Sequence, residues 1–281
     1  MAIPYLHGYS IKPTAVSSDG QVMFTDGTNI ITPNQQQCEA YGYTYNQATG
    51  TCNAFAFSTT LGRNVINETN KLQGSGNVVE TGTNNTTIVG ENNTVKGLSR
   101  NNIIIGSNNQ ISHGVDNANV YGTLAQATAD NSIVLGCNAG ADILGERQNI
   151  TLMYGKQTTN NSTVDAFLNN TTDSYFVVPD NAVVYFQSET IAVRVAGSSG
   201  SGAVGDFKSW VERGVVKNAR GTLSIARSRT SPASSGTTTG WSPINSVSGT
   251  NFLQTVKGAT DMTIEWASTI RITQIQTSVE L

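Results

Sequence analysis

Four carboxylates in the middle of the chain are the residues from which a catalytic pair could come. Glu91, Asp116, Asp130 and Asp142 lie among short apolar runs. Two carboxyl groups that face each other across a groove can hydrolyse a glycosidic bond. These four do not recur at the spacing of the repeat described below, so we expect no pair on one face. The sequence therefore predicts no catalytic residues and no enzyme.

The two histidines give no sign of metal or nucleophilic catalysis. His7 and His113 stand alone, without other ligands at metal-binding spacing, and the chain has no Gly-x-Ser-x-Gly motif. No motif requires a cofactor. We expect no metal ligands and no cofactor-binding residues.

The cysteines suggest covalent chemistry of a structural kind. Cys38 and Cys52 bracket "EAYGYTYNQATGT", which alternates aromatic residues and then offers a turn, so the segment can bring the two sulfurs together. A disulfide would form there after release from a reducing cytoplasm. Two free thiols in a small hairpin remain the alternative, and a zinc site lacks further ligands. Cys137 is expected to be a small buried residue.

Charge is sparse along the whole chain. Only 12% of residues are charged and the net charge is -3, so the clustered lysines and arginines of a nucleic-acid-binding face are absent. The first residues show no secretory signal. No run of eighteen apolar residues occurs, so we expect no membrane insertion and a chain that is made in a cytoplasm.

A sixteen-residue repeat sets the elements that would position any site. Short apolar runs, glycines and asparagine pairs recur, and the last copy follows after fourteen residues. The first ladder comprises Ile88, Ile104, Val120 and Val134, each followed two residues later by Gly90, Gly106, Gly122 and Gly136. The second ladder comprises Asn77, Asn93 and Asn109. The runs are too short for helices, so the pattern predicts two short strands in every coil of a solenoid.

A coil of sixteen residues has a thin core. Glycine and asparagine suit its sharp turns because both tolerate positive φ. Stacked asparagine side chains can hydrogen-bond from coil to coil. A slim roll of this kind buries little surface alone, and three rolls packed around one axis would supply the missing core, so we expect a homotrimer.

The repeat units also resemble a known family. "NNTTIVGENNTVKG", "NNIIIGSNNQISHG" and "DNSIVLGCNAG" are similar to the head repeats of trimeric autotransporter adhesins and to rolls in bacteriophage tail fibres. The resemblance implies a left-handed parallel β-roll trimer. An autotransporter would carry a signal peptide and a membrane-anchoring barrel, and the sequence shows neither, so the resemblance favours a phage virion protein.

The flanking regions complete the expected organisation. Residues 1–62 are predicted to form an attachment or capping segment, and "CEAYGYTYNQATGTCNAF" within it resembles N-terminal segments of cyanobacterial phage virion proteins. Residues 63–140 form the roll, residues 141–172 a connector and residues 173–281 an antiparallel β-sandwich. "GDFKSWVERGVVKNARGTLSI" and "TIEWASTIRITQ" resemble a jelly-roll-like module of cyanophage structural proteins. The predicted fold class is thus all-β, a homotrimeric solenoid followed by a jelly-roll-like sandwich.

The sequence also predicts the role of single residues in the sandwich. Trp210, Trp241 and Trp266 are expected to fill the core, and Ser228–Gly240 is expected to be an exposed loop. Glycan binding favours stacked aromatic rings, and the candidate contacts are Tyr175, Tyr185 and Trp241, although a core position is the favoured interpretation of each.

These expectations together describe a protein of the virion surface. The sequence favours a trimeric tail fibre or spike for host attachment, whose partners are its own copies, other virion proteins of the tail or baseplate, and a host surface glycan. The alternative is a capsid decoration protein or head fibre docked on the shell. A polysaccharide-degrading spike and a cellular adhesin are further alternatives.

Overall fold

The computed structural model describes residues 11–17, 20–47, 49–54, 57–58, 63–64, 70–169, 172–198 and 202–281. Regular structure in these ranges is almost entirely β, as predicted. The chain divides into two units, residues 1–68 and residues 69–281. Within the described ranges, no helix is long and apolar enough to cross a membrane.

The first unit is a small β structure with one short helix. Its core contains Val22, Phe24, Cys38 and Cys52, and the two cysteines form a disulfide with their Cα atoms 5.6 Å apart. The helix was not predicted, although Asn34 and Gln37 form a capping box at its start. The elements are β1 (Lys12–Val16), β2 (Val22–Thr25), β3 (Ile30–Ile31), α1 (Gln35–Ala40), β4 (Thr44–Asn46), β5 (Thr51–Asn53), β6 (Phe57–Ser58) and β7 (Arg63–Asn64).

The second unit begins with the predicted solenoid, which has about four turns. Two strands alternate in each coil and form two parallel sheets, with the order β8-β10-β12-β14-β16 in one and β9-β11-β13-β15 in the other. The register pairs Ile88 with Ile104, Ile104 with Val120, and Val120 with Val134. The strands are β8 (Lys71–Gln73), β9 (Val78–Val79), β10 (Thr87–Glu91), β11 (Thr94–Val95), β12 (Ile103–Ser107), β13 (Gln110–Ile111), β14 (Asn119–Thr123), β15 (Gln126–Ala127) and β16 (Ile133–Gly136).

The interior of the roll is narrow and partly polar. Each coil contributes one aliphatic side chain from each sheet, such as Ile104 and Ile111, and these residues are fully buried. Asn93 and Asn109 lie in the same interior. The side-chain amide of Asn109 donates to Asn93 Oδ1 (3.0 Å) and to the carbonyl of Gly122 (2.9 Å), so the ladder satisfies its buried polar groups from coil to coil.

Three glycines allow neighbouring coils to approach each other closely. Gly90, Gly106 and Gly122 have positive φ and stack in register. A Cβ atom on Gly106 would lie 1.8 Å from the carbonyl oxygen of Gly122. The coil spacing therefore requires glycine at this position.

The second unit continues into two antiparallel sheets. One is an extension of the roll, because β17 pairs antiparallel with β16 and gives a single ten-stranded sheet with the order β22-β21-β20-β25-β17-β16-β14-β12-β10-β8. The other contains β18, β24 and β19, with β23 paired to β24. The strands are β17 (Arg147–Thr158), β18 (Thr163–Ala166), β19 (Phe176–Val177), β20 (Ala182–Ala196), β21 (Phe207–Ala219), β22 (Thr222–Ser235), β23 (Ser242–Ser248), β24 (Asn251–Lys257) and β25 (Thr263–Gln276).

The two terminal sheets share a core. Phe186 and Phe252, one from each sheet, lie with ring centroids 5.0 Å apart. Trp210, Trp241 and Trp266 form a second buried cluster, which confirms that the tryptophans fill the core. Between these clusters, the side chain of Gln254 donates to Ser268 (2.7 Å), so a buried polar contact fixes how the sheets face each other.

Three predictions about local structure differ from the structure. Much of Ser228–Gly240, expected to be an exposed loop, is exposed but belongs to β22, because main-chain bonds to β21 hold this edge strand without a buried apolar pattern. Residues 141–172, predicted to be a connector with one strand-like run at Thr151 to Tyr154, contain the longer strand β17, which belongs to the ten-stranded sheet. Cys137 is exposed rather than buried, because it follows the last strand of the roll.

Candidate functional site

The three aromatic residues proposed for glycan contact lie in different places. Trp241 is only 3% exposed and packs against Trp266, as expected of a core residue, so its ring is not accessible to a glycan. Tyr185 is exposed on the outward side of β20. Tyr175 is half-buried before β19 and lines a polar groove.

The groove lies beside the last two coils of the roll. It has a volume of about 390 Å³ and lies between the turns that precede β14 and β16 and the segment around Tyr175. Its polar lining includes Arg100, Asp116, Asp130 and Ser174. The groove is thus formed where the roll meets the second terminal sheet.

Coil spacing places the charged residues of the groove. Arg100 and Asp116 are sixteen residues apart and therefore stack, with Arg100 Nη2 3.1 Å from Asp116 Oδ2. Asp130 follows Asp116 by fourteen residues, the same short step as from Val120 to Val134. The amide of Asp116 donates to Asp130 Oδ1 (2.8 Å). The expectation that the acidic residues share no face is wrong for these two, because the shortened last coil stacks them.

Hydrogen bonds occupy both carboxylate oxygens of Asp130. Ser174 Oγ donates to Asp130 Oδ2 (3.1 Å), and the side-chain amide of Asn169 donates to the same oxygen. These bonds connect the last coil to the segment before β19. They leave Asp130 poorly placed to transfer a proton to a leaving group.

Tyr175 provides a phenol at the opposite wall. Its hydroxyl donates to Asp165 Oδ2 (2.8 Å), and its ring lies 5.6 Å from that of Phe167. Burial, followed by the hydrogen bond to the Asp165 carboxylate, raises the pKa of Tyr175 to about 12. The raised pKa means that this site favours the neutral phenol, which donates to Asp165.

A larger cavity adjoins the groove. It measures about 820 Å³ and shares Asn169 and Thr172 with the groove. Amide and aromatic side chains line it, among them Asn117, Asn131 and Phe167. Lys156 lies over the ring of Phe167, with Nζ 4.8 Å from the centroid. Together the two cavities present hydrogen-bonding groups beside aromatic rings, which suits a hydroxyl-rich ligand.

Across the part of the chain that the structure describes, no group of three or more His, Cys, Asp or Glu residues could hold a metal ion. His113 lines the groove, whereas His7 lies outside the described residues.

The sequence contains a signal for part of this groove. Asp116 and Asp130 are separated by the same fourteen residues as Val120 and Val134 of the apolar ladder, and this step brings the two aspartates together. The contribution of Asn169 and Ser174 could not be found in the same way, because these residues arrive through a tertiary contact.

Comparison with known proteins shows only weak similarity. No protein-family model matches the chain, and no curated protein matches it. Among solved structures, the chain is similar to the tailspike protein of Acinetobacter baumannii phage AM24, with 9% identity, a TM-score of 0.26 and coverage of 70% of this chain and 49% of that one. It is also similar to the tailspike protein of Acinetobacter phage vB_ApiP_P1, with 11% identity, a TM-score of 0.23 and coverage of 74% and 49%. The chain spans about half the length of each.

Proposed function

We propose that the protein is a non-enzymatic surface protein of a phage virion, a trimeric tail fibre or spike that contacts the host surface. The observation that carries this proposal is the asparagine-rich solenoid, which passes through one continuous sheet into a two-sheet domain and forms a polar groove at the junction. A solenoid of this kind supports an elongated binding surface.

The groove chemistry favours binding over cleavage. Asp116 is paired with Arg100, and both oxygens of Asp130 accept hydrogen bonds. A glycosidase needs one carboxyl group that protonates the leaving group. The same residues, with Tyr175 and the nearby asparagines, can hydrogen-bond and stack on a saccharide without changing it.

A binding assay tests the groove. The full chain, fluorescently labelled, is incubated with cells of the phage's host, and the variant Arg100→Gln is compared with Lys257→Gln, which removes an exposed charge from β24. We expect Arg100→Gln to weaken cell binding at least fivefold and Lys257→Gln to leave it unchanged. Equal binding by both variants would exclude the groove from host contact.

Location in the virion separates the tail from the shell. Cryo-electron microscopy of intact particles, classified at the capsid and at the tail, should show density for this chain at the tail or baseplate. Density on capsid symmetry axes would replace host attachment with capsid decoration, the alternative that a projecting roll also suits.

A further inference from the structure

Among the described residues of the second unit, no layer covers one face of the ten-stranded sheet. We call outer face the side of this sheet that points away from the roll interior and from the second terminal sheet. On the roll, its side chains alternate with the buried ladder: Ile104 and Val134 are buried, whereas Ile105 is 45% and Leu135 is 49% exposed. On the roll, one row of aliphatic side chains therefore points outward, and the adjacent row of aliphatic side chains fills the core.

The outer face continues without a break into the terminal sheet. The register places Ile105 beside Tyr121, Tyr121 beside Leu135 and Leu135 beside Asn149 on β17. The same row then runs through Thr273 to Tyr185 and Val215, which are both exposed. The row therefore has apolar side chains on the roll and on β20 and β21, separated by Asn149 and Thr273. The exposed ion pair of Arg271 and Glu189 lies on the same face.

The terminal part of the outer face also contains a shallow apolar hollow. Its volume is about 350 Å³, and its lining includes Met153, Ile191 and Pro232. Met153 is 62% exposed. A hollow beside protruding side chains is the shape that an interdigitating partner surface fills.

The area of the outer face is sufficient for a stable association. Strands β17, β25, β20, β21 and β22 have 12 to 15 residues each. With strands about 4.8 Å apart and a rise of about 3.4 Å per residue, they cover roughly 1,000 Å², and the roll strands add about 300 Å². A standard interface needs about 800 Å² from each partner, so the roll alone is too small and the continuous face is large enough.

Association through the free edge of the same sheet is disfavoured. The edge strand β22 contains Pro232, and Arg227 and Arg229 lie on its side facing the second sheet. Proline and inward-facing charges are features that prevent pairing with another strand. These features disfavour pairing at β22, and the other edge strand, β8, has only three residues.

We propose that the outer face is the surface through which three copies of this chain associate around a common axis. The proposal rests on the trimeric part of the proposed function and names its interface. The surface that covers the outer face is the outer face of another copy, which has the same length. In a closed threefold arrangement this face is covered in every copy. The roll, whose interior is narrow, gains an additional apolar layer in this way.

The test is the molar mass of the full chain in solution, measured by light scattering after size exclusion. Ile105→Arg and Tyr185→Arg place a charge on the roll part and on the terminal part of the outer face. Gln110→Arg is the matched control, because Gln110 lies on β13 in the other sheet of the roll. We expect a trimer for the unmodified chain and for the control, and a threefold lower mass with unchanged circular dichroism for both outer-face variants.

Two results would overturn the proposal. One is a trimer that persists in both outer-face variants, and the other is an unmodified chain with the mass of a monomer or dimer. If Ile105→Arg loses its circular dichroism signal, that variant is unfolded. The molar mass of Tyr185→Arg then decides the test, because Tyr185 lies outside the thin roll. Binding to host cells is measured separately, so a failed interface and a failed attachment function are distinguishable.

Discussion

Asparagines in the roll have two distinct roles. Asn93 and Asn109 are buried and bond to the next coil through their side chains. Asn85, Asn101 and Asn117 instead have positive φ at exposed turns, and their side chains form an outer ladder. The first role depends on the amide group, whereas the second depends mainly on tolerance of a left-handed backbone.

Asn93→Ala should destabilise the second unit by about 3 kcal/mol. The change removes the bond from the Asn93 amide to the carbonyl of Gly106 and the acceptor for the amide of Asn109, and each buried group left unpaired costs about 1–3 kcal/mol. Urea unfolding followed by circular dichroism measures the loss. Asn161→Ala, at an exposed turn, should change stability by less than about 0.5 kcal/mol, and equal losses would contradict the role of the ladder.

Glu80 should make the first coils sensitive to acid. Its hydrogen bonds to Lys96 Nζ (2.9 Å) and to the amide of Gly97 (3.0 Å) hold its pKa below the ordinary value of 4.5. A lowered pKa means that the folded state favours the charged form, so this contribution is complete above about pH 4.5 and is lost as the pH falls through the lowered pKa. The side chain is partly exposed, so the effect is modest.

Thermal melts of the unmodified chain and Glu80→Gln between pH 7 and pH 3 measure this contribution. We expect Glu80→Gln to be less stable at pH 7 and the difference between the two proteins to shrink below about pH 4.5. Glu91→Gln, at an exposed position in the next coil, serves as the control. A difference that is constant with pH would contradict the ion pair as its cause.

At the scale of elements, glycine sets the distance between the stacked strands of neighbouring coils. Gly106→Ala should destabilise the roll by well over 2 kcal/mol, because the new Cβ would lie 1.8 Å from a carbonyl oxygen of the next coil. Gly221→Ala is the matched control: it also has positive φ, but no atom lies within 4 Å of the new Cβ, so it should lose only about 1 kcal/mol. Denaturant midpoints of the two variants test the difference.

The sequence allowed the periodic elements to be predicted, but not those formed by tertiary pairing. Gly90, Gly106 and Gly122 recur at a fixed step, so the coils and their register were evident. β17 and β22 have no such signature, since β17 is defined by its pairing with β16 and β25 and β22 by its pairing with β21. The same distinction applies to the groove. The positions of its two aspartates follow from the repeat spacing, whereas Asn169 and Ser174 belong to another segment and reach the groove through tertiary contacts.

At the scale of the whole molecule, the two units have separate cores, so they should lose structure separately. The disulfide between Cys38 and Cys52 lies in the first unit and closes a loop with a sequence separation of 14. For a loop of about this length, a disulfide contributes roughly 3 kcal/mol. Limited proteolysis of Cys38→Ser/Cys52→Ser should therefore show faster cleavage within residues 11–54 and an unchanged fragment of residues 70–281.

Cys137→Ser is the control for this experiment, because Cys137 is exposed and belongs to the second unit. It should leave the cleavage of both units unchanged. Faster cleavage of residues 70–281 in the disulfide variant would show that the two units unfold together.

The continuous sheet has a mechanical consequence. Hydrogen bonds between neighbouring strands lie roughly along the stacking direction of the roll, so tension in that direction pulls on them directly. β16 is held to β17 by only four residue pairs, whereas β17 is held to β25 by twelve. Residues 137–146 connect β16 to β17 and can straighten to about 33 Å when that ladder opens. A single-molecule pulling trace between residues 70 and 281 should therefore contain a short extension of this size at a lower force than the opening of the β17–β25 ladder, and the junction should reclose when the load is released.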